Sequence, residues 1–175
     1  GCSVAIQAGQ AAGDINCADV VYDQVRFLGC SVGLRTMNDQ SVNHHFRSLM
    51  AREVGVVFDF QRGGNLDVAG ADVGTFDLLL RVGQGGPNAG KFRFASLRTE
   101  LDGWSKRHSR LVDAASLPEW SMADIALVDC QETQGPLAES KADNRTDFLF
   151  DVGRGATITT ARHVHSSRPV ARVSG

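Results

Sequence analysis

A glycine-rich stretch, 85-GGPNAGK-91, has the spacing of a phosphate-binding loop, G-x-x-x-x-G-K. Such a loop needs Ser or Thr after the lysine to hold magnesium, and then a helix whose N-terminal amides face the phosphates. Here Phe92 follows the lysine, and 91-KFRFASL-97 alternates like a strand. Pro87 also removes one backbone donor. The pattern therefore predicts a hairpin loop between two strands rather than a nucleotide site.

Two histidines near the C-terminus, His163 and His165, are spaced for a metal site on a strand. Residues two apart on a strand point to the same face, so both imidazoles could bind one ion, as in a cupin-like site. Such a site normally adds a downstream glutamate, but 166-SSRPVARVSG-175 contains no carboxylate. We expect no metal site, and His163 with His165 remains the alternative. No G-x-S-x-G motif or defined carboxylate pair indicates catalysis, so we expect a protein that is not an enzyme.

The four cysteines, Cys2, Cys17, Cys30 and Cys130, form no C-x-x-C pair. Their spacing fits neither a zinc ribbon nor a thioredoxin-type redox site, which leaves structural disulfides or buried free thiols. We expect disulfides, and the three pairings that four cysteines allow stay open. A glycosylation triplet begins at Asn144. Both features predict a secreted, extracellular protein.

Composition limits the classes of partner. The chain has 175 residues, 42% hydrophobic residues, 22% charged residues and a formal net charge of -2. This balance is typical of a globular protein and gives no basic patch for nucleic acid. No apolar run reaches the roughly 18 residues that a membrane span needs, so we expect no membrane insertion. The N-terminus lacks the regions of a signal peptide, as in a chain that has been trimmed or excised from a larger protein.

Strand signals dominate the last 120 or so residues. The predicted strands are 54–60, 75–82, 91–97, 122–130, 147–152 and 156–165. Glycine pairs and Gly-Pro steps separate them, and no internal repeat is evident. The pattern predicts a single domain over residues 1–175, an all-β sandwich of the jelly-roll, galactose-binding-domain-like kind with little helix.

In this order, the strands resemble those of the malectin and malectin-like family, which is related to carbohydrate-binding modules. The segment 22-YDQVRFLGCS-31 looks like the family's D-x-x-F-x-G-G-S, and 74-GTFDLLLRV-82 resembles G-T-Y-x-V-x-L-x-F. Further similar stretches are 4-VAIQAGQ-10, 46-FRSLMAREVGVVFDF-60, 91-KFRFASLRTEL-101 and 148-FLFDVGRGATITTARHV-164. The resemblance covers most of the chain and implies a malectin-like β-sandwich.

The resemblance also implies a ligand and its place. Such modules bind a glycan, free or on a glycoprotein, through loops at one edge of the sandwich and without catalysis. The positions that match the family's sugar-stacking aromatics are Ala51 and the loop 83–90, which has no aromatic residue. The remaining candidates for sugar contact are Arg52, Gln84, Asn88, Lys91, Trp104 and Arg154. The resemblance implies no cofactor, although related modules often hold a structural calcium ion.

Two functions are therefore expected in order of preference. The first is a non-catalytic extracellular carbohydrate-binding module. That module could also be an appended domain of a larger multidomain protein. The alternative is a structural or assembly subunit of an extracellular filament or surface structure, with no sugar ligand, which assembles by pairing exposed edge strands.

Overall fold

The computed structural model describes residues 1–11, 13, 17–83, 89–100, 109–117, 121–133, 150–162 and 171–173. Fifteen β-strands lie within these ranges. They are β1 Cys2–Ala8, β2 Val20–Tyr22, β3 Val25–Thr36, β4 Val42–Phe46, β5 Leu49–Phe60, β6 Gly64–Val68, β7 Ala71–Val82, β8 Ala89–Ala95, β9 Leu97–Glu100, β10 Arg110–Ala114, β11 Met122–Val128, β12 Gln131–Thr133, β13 Phe150–Val152, β14 Ala156–Ala161 and β15 Ala171–Val173.

All of the strand pairs among the described residues are parallel, and the chain alternates between two sheets. The first sheet has the order β1-β3-β5-β7-β10-β13-β15. In addition, β9 pairs with β7, and β12 pairs with β9. The second has the order β2-β4-β6-β8-β11-β14. Each passage over both sheets is one turn of a coil, and each turn stacks on the one before it. This topology is a parallel β-solenoid.

The predicted jelly-roll sandwich is therefore wrong, although the all-β class is correct. A jelly roll is built from antiparallel strands, whereas β7 here pairs in parallel with β5, β9 and β10. The hairpin predicted around residues 83–90 is wrong for the same reason. The strands β7 and β8, on either side of it, belong to different sheets and do not pair with each other.

The turns have similar lengths without a repeated sequence. Val25 pairs with Leu49, Leu49 with Ala71 and Ala71 with Leu97, so successive turns take 24, 22 and 26 residues. Each turn needs only apolar residues at inward positions and a residue that tolerates the corner. That requirement leaves most side-chain identities free, which explains why no repeat is visible in the sequence.

The corners are marked by stacked residues with left-handed backbone. Gly29, Glu53 and Thr75 occupy the same place in three successive turns, with φ of 61°, 56° and 53°. They lie within the continuous strands β3, β5 and β7, where the left-handed backbone changes the direction of each strand. Glycine adopts this conformation freely, but a β-branched residue does so only under strain. Thr75 is therefore held at its corner by the turns that flank it.

Aromatic side chains fill the interior between the two sheets. Phe58 of the first sheet lies between Phe46 and Phe94 of the second, with ring centroids 5.2 and 5.8 Å away. Phe60 meets Phe92 edge to face at 5.1 Å. All five rings are almost completely buried, and such pairs add about 0.5–1.5 kcal/mol each beyond the area that they bury. This packing, with Leu66 and Val68 of β6 in the same core, fixes the positions of β4, β6 and β8, whose outer faces carry the site below.

Candidate functional site

Three successive strands of the second sheet present a two-column grid of polar side chains. The strands read 42-VNHHF-46, 64-GNLDV-68 and 90-GKFRF-94, and they lie side by side in parallel register. Alternate residues, such as His44, Leu66 and Phe92, point into the core and are buried. The residues between them face outward. These outward residues, which we call the polar grid, are Asn43, Asn65, Lys91, His45, Asp67 and Arg93.

The first column of the grid is held by hydrogen bonds along the solenoid axis. The amide of Asn43 donates to the Asp19 carboxylate at 2.8 Å, and the amide of Asn65 donates to the Asn43 side-chain oxygen at 3.0 Å. The Asn65 oxygen then accepts from the Lys91 backbone N–H at 2.9 Å. Asp19, Asn43 and Asn65 all have φ near 57–58°, a conformation that Asn and Asp tolerate well. The ladder therefore fixes the corner from which the Lys91 side chain extends.

The second column is a row of charges. Asp67 accepts a hydrogen bond from Arg93 at 2.9 Å, and its other oxygen lies 3.9 Å from His45 Nδ1. All three side chains are about 37–52% exposed, so their mutual attraction is screened by water and salt. Lys91, in the first column, is exposed and makes no ion pair with the other described residues. Besides His45, the grid has two cations and one carboxylate.

The grid lines a shallow groove of about 270 Å³. Neighbouring strands lie about 4.8 Å apart and alternate residues about 6.6 Å apart, so the six side chains cover an area of roughly 10 by 7 Å. This area suits a small polar ligand or one or two units of a chain. The grid contains no Phe, Tyr or Trp, so a ligand would be held mainly by hydrogen bonds and charge rather than by stacking on a large ring.

A second polar cluster lies inside the solenoid. His44 is completely buried, with Nε2 2.9 Å from the Ser41 hydroxyl and Nδ1 3.2 Å from the Tyr22 hydroxyl. Burial, with a smaller contribution from the charge of His45, lowers the pKa of His44 to about 4. Burial also raises the pKa of Tyr22 to about 12, and Cys17 adds to this shift. The neutral imidazole can donate at one nitrogen and accept at the other, so it satisfies both hydroxyls.

The Ser41 hydroxyl contacts the His44 imidazole as a catalytic nucleophile contacts its base, but the pair is not accessible to a substrate. Both side chains have no exposed surface, and the Phe60 ring lies edge-on to the imidazole at 5.9 Å. A substrate cannot reach the serine in this arrangement. The cluster instead has a structural role, because it links β2 and β4 inside the solenoid.

The sequence-based sugar candidates fall on different parts of the coil. Lys91 lies in the polar grid, but Arg52 lies on the first sheet, where it donates to the Asp72 carboxylate at 2.8 Å and to the Asp72 carbonyl at 3.0 Å. Arg154 lies in the exposed turn between β13 and β14. Gln84, Asn88 and Trp104 lie outside the described residues, as do His163, His165 and Asn144.

The cysteines are all free thiols in the structure, and disulfide formation stays a prediction. Burial raises the pKa of Cys130 to about 11. Within the described ranges, no three His, Cys, Asp or Glu side chains gather as metal ligands. The described part of the chain also contains no helix with the length and apolar character of a membrane span.

Most of the grid was missed from the sequence. Lys91 was found only as part of the glycine-rich loop. Asn43 and Asn65 are 22 residues apart, as are His45 and Asp67, and the step from Asp67 to Arg93 is 26 residues. Aligning the sequence to itself at these spacings would have placed the six side chains together.

A scan against protein-family models and searches of curated proteins and of solved structures find no match to this chain. The malectin-like resemblance therefore stays a prediction, while the sandwich that it implied is replaced by the solenoid.

Proposed function

We propose that this chain is a non-catalytic, extracellular β-solenoid segment that binds carbohydrate, and that it prefers glycans carrying carboxylate or sulfate groups. The observation that supports this function most is the polar grid, in which amides, an imidazole, a carboxylate and two cations share one flat face. Sugars offer many hydroxyl donors and acceptors in a similar arrangement. A solenoid also stacks its turns at a regular spacing into an extended surface, which suits a ligand that is itself a chain.

The preference for acidic glycans follows from what the grid contains. Neutral sugars commonly gain affinity by stacking on the rings of Phe, Tyr or Trp, and the grid has none of these residues. Its strongest available contacts are charge-assisted hydrogen bonds from Lys91 and Arg93. Since the Arg93 guanidinium already pairs with Asp67, Lys91 is the cation that an acidic group would engage first.

The test is an array of neutral, carboxylated and sulfated oligosaccharides, read at low and at physiological salt. We expect retention on acidic glycans that weakens as salt rises, because exposed charge pairs are screened over about 8–10 Å at physiological ionic strength. Binding only to neutral glycans would contradict the acidic preference. Retention on no glycan at either salt concentration would contradict the function.

A structural role is the second candidate, and it is favoured by the polar ladders of both sheets. On the first sheet, Asp59 is completely buried and lies 2.9 Å from Arg35 and 3.8 Å from Arg81, its neighbours in the turns on either side. On the second sheet, the Asp19–Asn43–Asn65 ladder serves the same purpose. These contacts stiffen the coil along its axis. Sedimentation that shows concentration-dependent assembly, together with no glycan retention, would favour this role.

A further inference from the structure

Two cysteines of neighbouring turns face each other on the first sheet. Cys2 of β1 is the direct register partner of Cys30 of β3. Residues paired in this way have side chains on the same face, and their strands are about 4.8 Å apart. That separation lies within the usual range of Cα distances for disulfides, roughly 4.4–6.8 Å. The backbone spacing of the two strands is therefore compatible with a bond between the two sulfurs.

The two thiols also affect each other electrostatically. The pKa of Cys30 is raised to about 11 by burial first and by Cys2 second. Cys30 is 1% exposed, whereas Cys2 is exposed. An external reagent would thus meet Cys2 first. Cys17 and Cys130 are partners of neither residue in the strand register.

We propose that Cys2 and Cys30 are a redox-active pair that forms a disulfide in an oxidising compartment and fastens the edge strand β1 to the solenoid. The oxidant is a small-molecule disulfide such as oxidised glutathione. The Cys2 thiolate attacks it, forms a mixed disulfide and releases one glutathione thiolate. The Cys30 thiolate then attacks Cys2 Sγ and displaces the second glutathione thiolate. The two protein protons end on the two glutathione thiols, so atoms and electrons balance.

The linkage would act on a strand that has one described partner. Within the described residues β1 pairs with β3 alone, and most of its side chains are exposed. Edge strands of this kind open locally more readily than central strands. A covalent bond at Cys2 limits that opening, so the backbone amides of β1 are expected to exchange more slowly in the oxidised protein.

The experiment incubates the full chain with oxidised glutathione, followed by thiol counting and peptide mapping by mass spectrometry. We expect the thiol count to fall from four to two, with one peptide pair joined through Cys2 and Cys30 and the loss of two hydrogens. Cys2→Ser should abolish the linkage, and Cys17→Ser, the matched control, should leave it intact. Reduction should restore four thiols and the faster exchange of β1.

Other outcomes overturn the proposal. Four thiols after prolonged oxidation would exclude the pair, as would a linkage mapped to Cys17 or Cys130. A stable glutathione adduct on Cys2, without closure onto Cys30, would show that the buried thiol does not react. Peptide mapping of the wild-type chain gives each of these answers even if a serine variant fails to fold.

Discussion

The buried imidazole of His44 should make the stability of this protein depend on pH in a defined window. Its pKa is lowered from 6.5 to about 4 in the folded chain, mainly by burial. The unfolded chain therefore binds a proton between these two values that the folded chain does not. Stability contributed by the neutral imidazole is fully present above about pH 6.5 and is lost as the pH falls towards 4.

The size of the effect follows from the two pKa values. One pKa unit corresponds to about 1.4 kcal/mol, so the free energy of unfolding should fall by about 2 kcal/mol at pH 5 and about 3 kcal/mol at pH 4. Carboxylates also titrate towards the lower end of this range. Their contribution is removed by comparison with a variant that lacks the imidazole.

His44→Leu is the informative variant, because Leu66 occupies the same register position in the next turn. At pH 7 it should be less stable than wild type, since the buried Ser41 hydroxyl loses its ring partner at a cost of roughly 1–3 kcal/mol and the partly buried Tyr22 hydroxyl also loses one. Urea unfolding should be measured from pH 7 to pH 4. The difference in free energy of unfolding between wild type and His44→Leu, which we call the gap, should shrink by about 2 kcal/mol at pH 5.

Two control variants separate the titration of His44 from other effects of the substitution. His44→Gln keeps an amide donor and acceptor but does not titrate, so it should also lose the pH dependence. His45→Gln removes the neighbouring exposed imidazole, which is the smaller cause of the His44 shift, and should keep most of the wild-type pH dependence. A gap between wild type and His44→Leu that stays constant from pH 7 to pH 5 would refute the reasoning.

Two further predictions concern the backbone of the coil. A Cβ at Gly33 would lie 2.6 Å from both the Phe27 ring and the Val57 carbonyl oxygen, so Gly33→Ala should cost about 1–3 kcal/mol in urea unfolding. At Gly70 the nearest atom would be 3.7 Å away, and Gly70→Ala should be neutral or slightly stabilising; equal losses at the two sites would argue against the packing described. Thr75→Gly should raise the free energy of unfolding by about 1 kcal/mol. Left-handed backbone strains a β-branched residue by roughly 1–3 kcal/mol, and relief of this strain is partly offset because glycine loses more conformational entropy on folding. A lower melting temperature for this variant would show that Thr75 is not strained.

Six strands, among them β5, β7 and β8, were predicted from the sequence, but their direction was not, and strands such as β3, β4 and β6 were missed. The alternation in 91-KFRFASL-97 correctly placed a strand at β8, because Phe92 and Phe94 pack inward while Lys91 and Arg93 face out. A solenoid buries one face of each strand and exposes the other, as an antiparallel sandwich does. The same alternation therefore fits both folds, and most parallel sheets, buried on two faces, would not show it.

The grid was harder to predict because its members are far apart in the sequence. The sequence analysis sought motifs within short windows, where Asn43 and Asn65 appear as unrelated polar residues. The hydrogen bond between them depends on turns of matching length and on left-handed corners at both positions. Neither the turn length nor the left-handed backbone can be predicted from a short window of sequence. The charged partners of Arg52 were hidden for the same reason, since Asp72 lies in the following turn.

The central claim, that the polar grid binds acidic glycans, is tested most directly by calorimetry with carboxylated and sulfated oligosaccharides on three proteins: wild type, Lys91→Ala and Arg26→Ala. Both substitutions remove one exposed cation, but Arg26 lies on the first sheet, away from the grid. Loss of a charge-assisted hydrogen bond should weaken binding roughly tenfold or more in Lys91→Ala, and Arg26→Ala should bind like wild type. Equal affinity in wild type and Lys91→Ala, or an equal loss in both variants, would contradict binding at the grid.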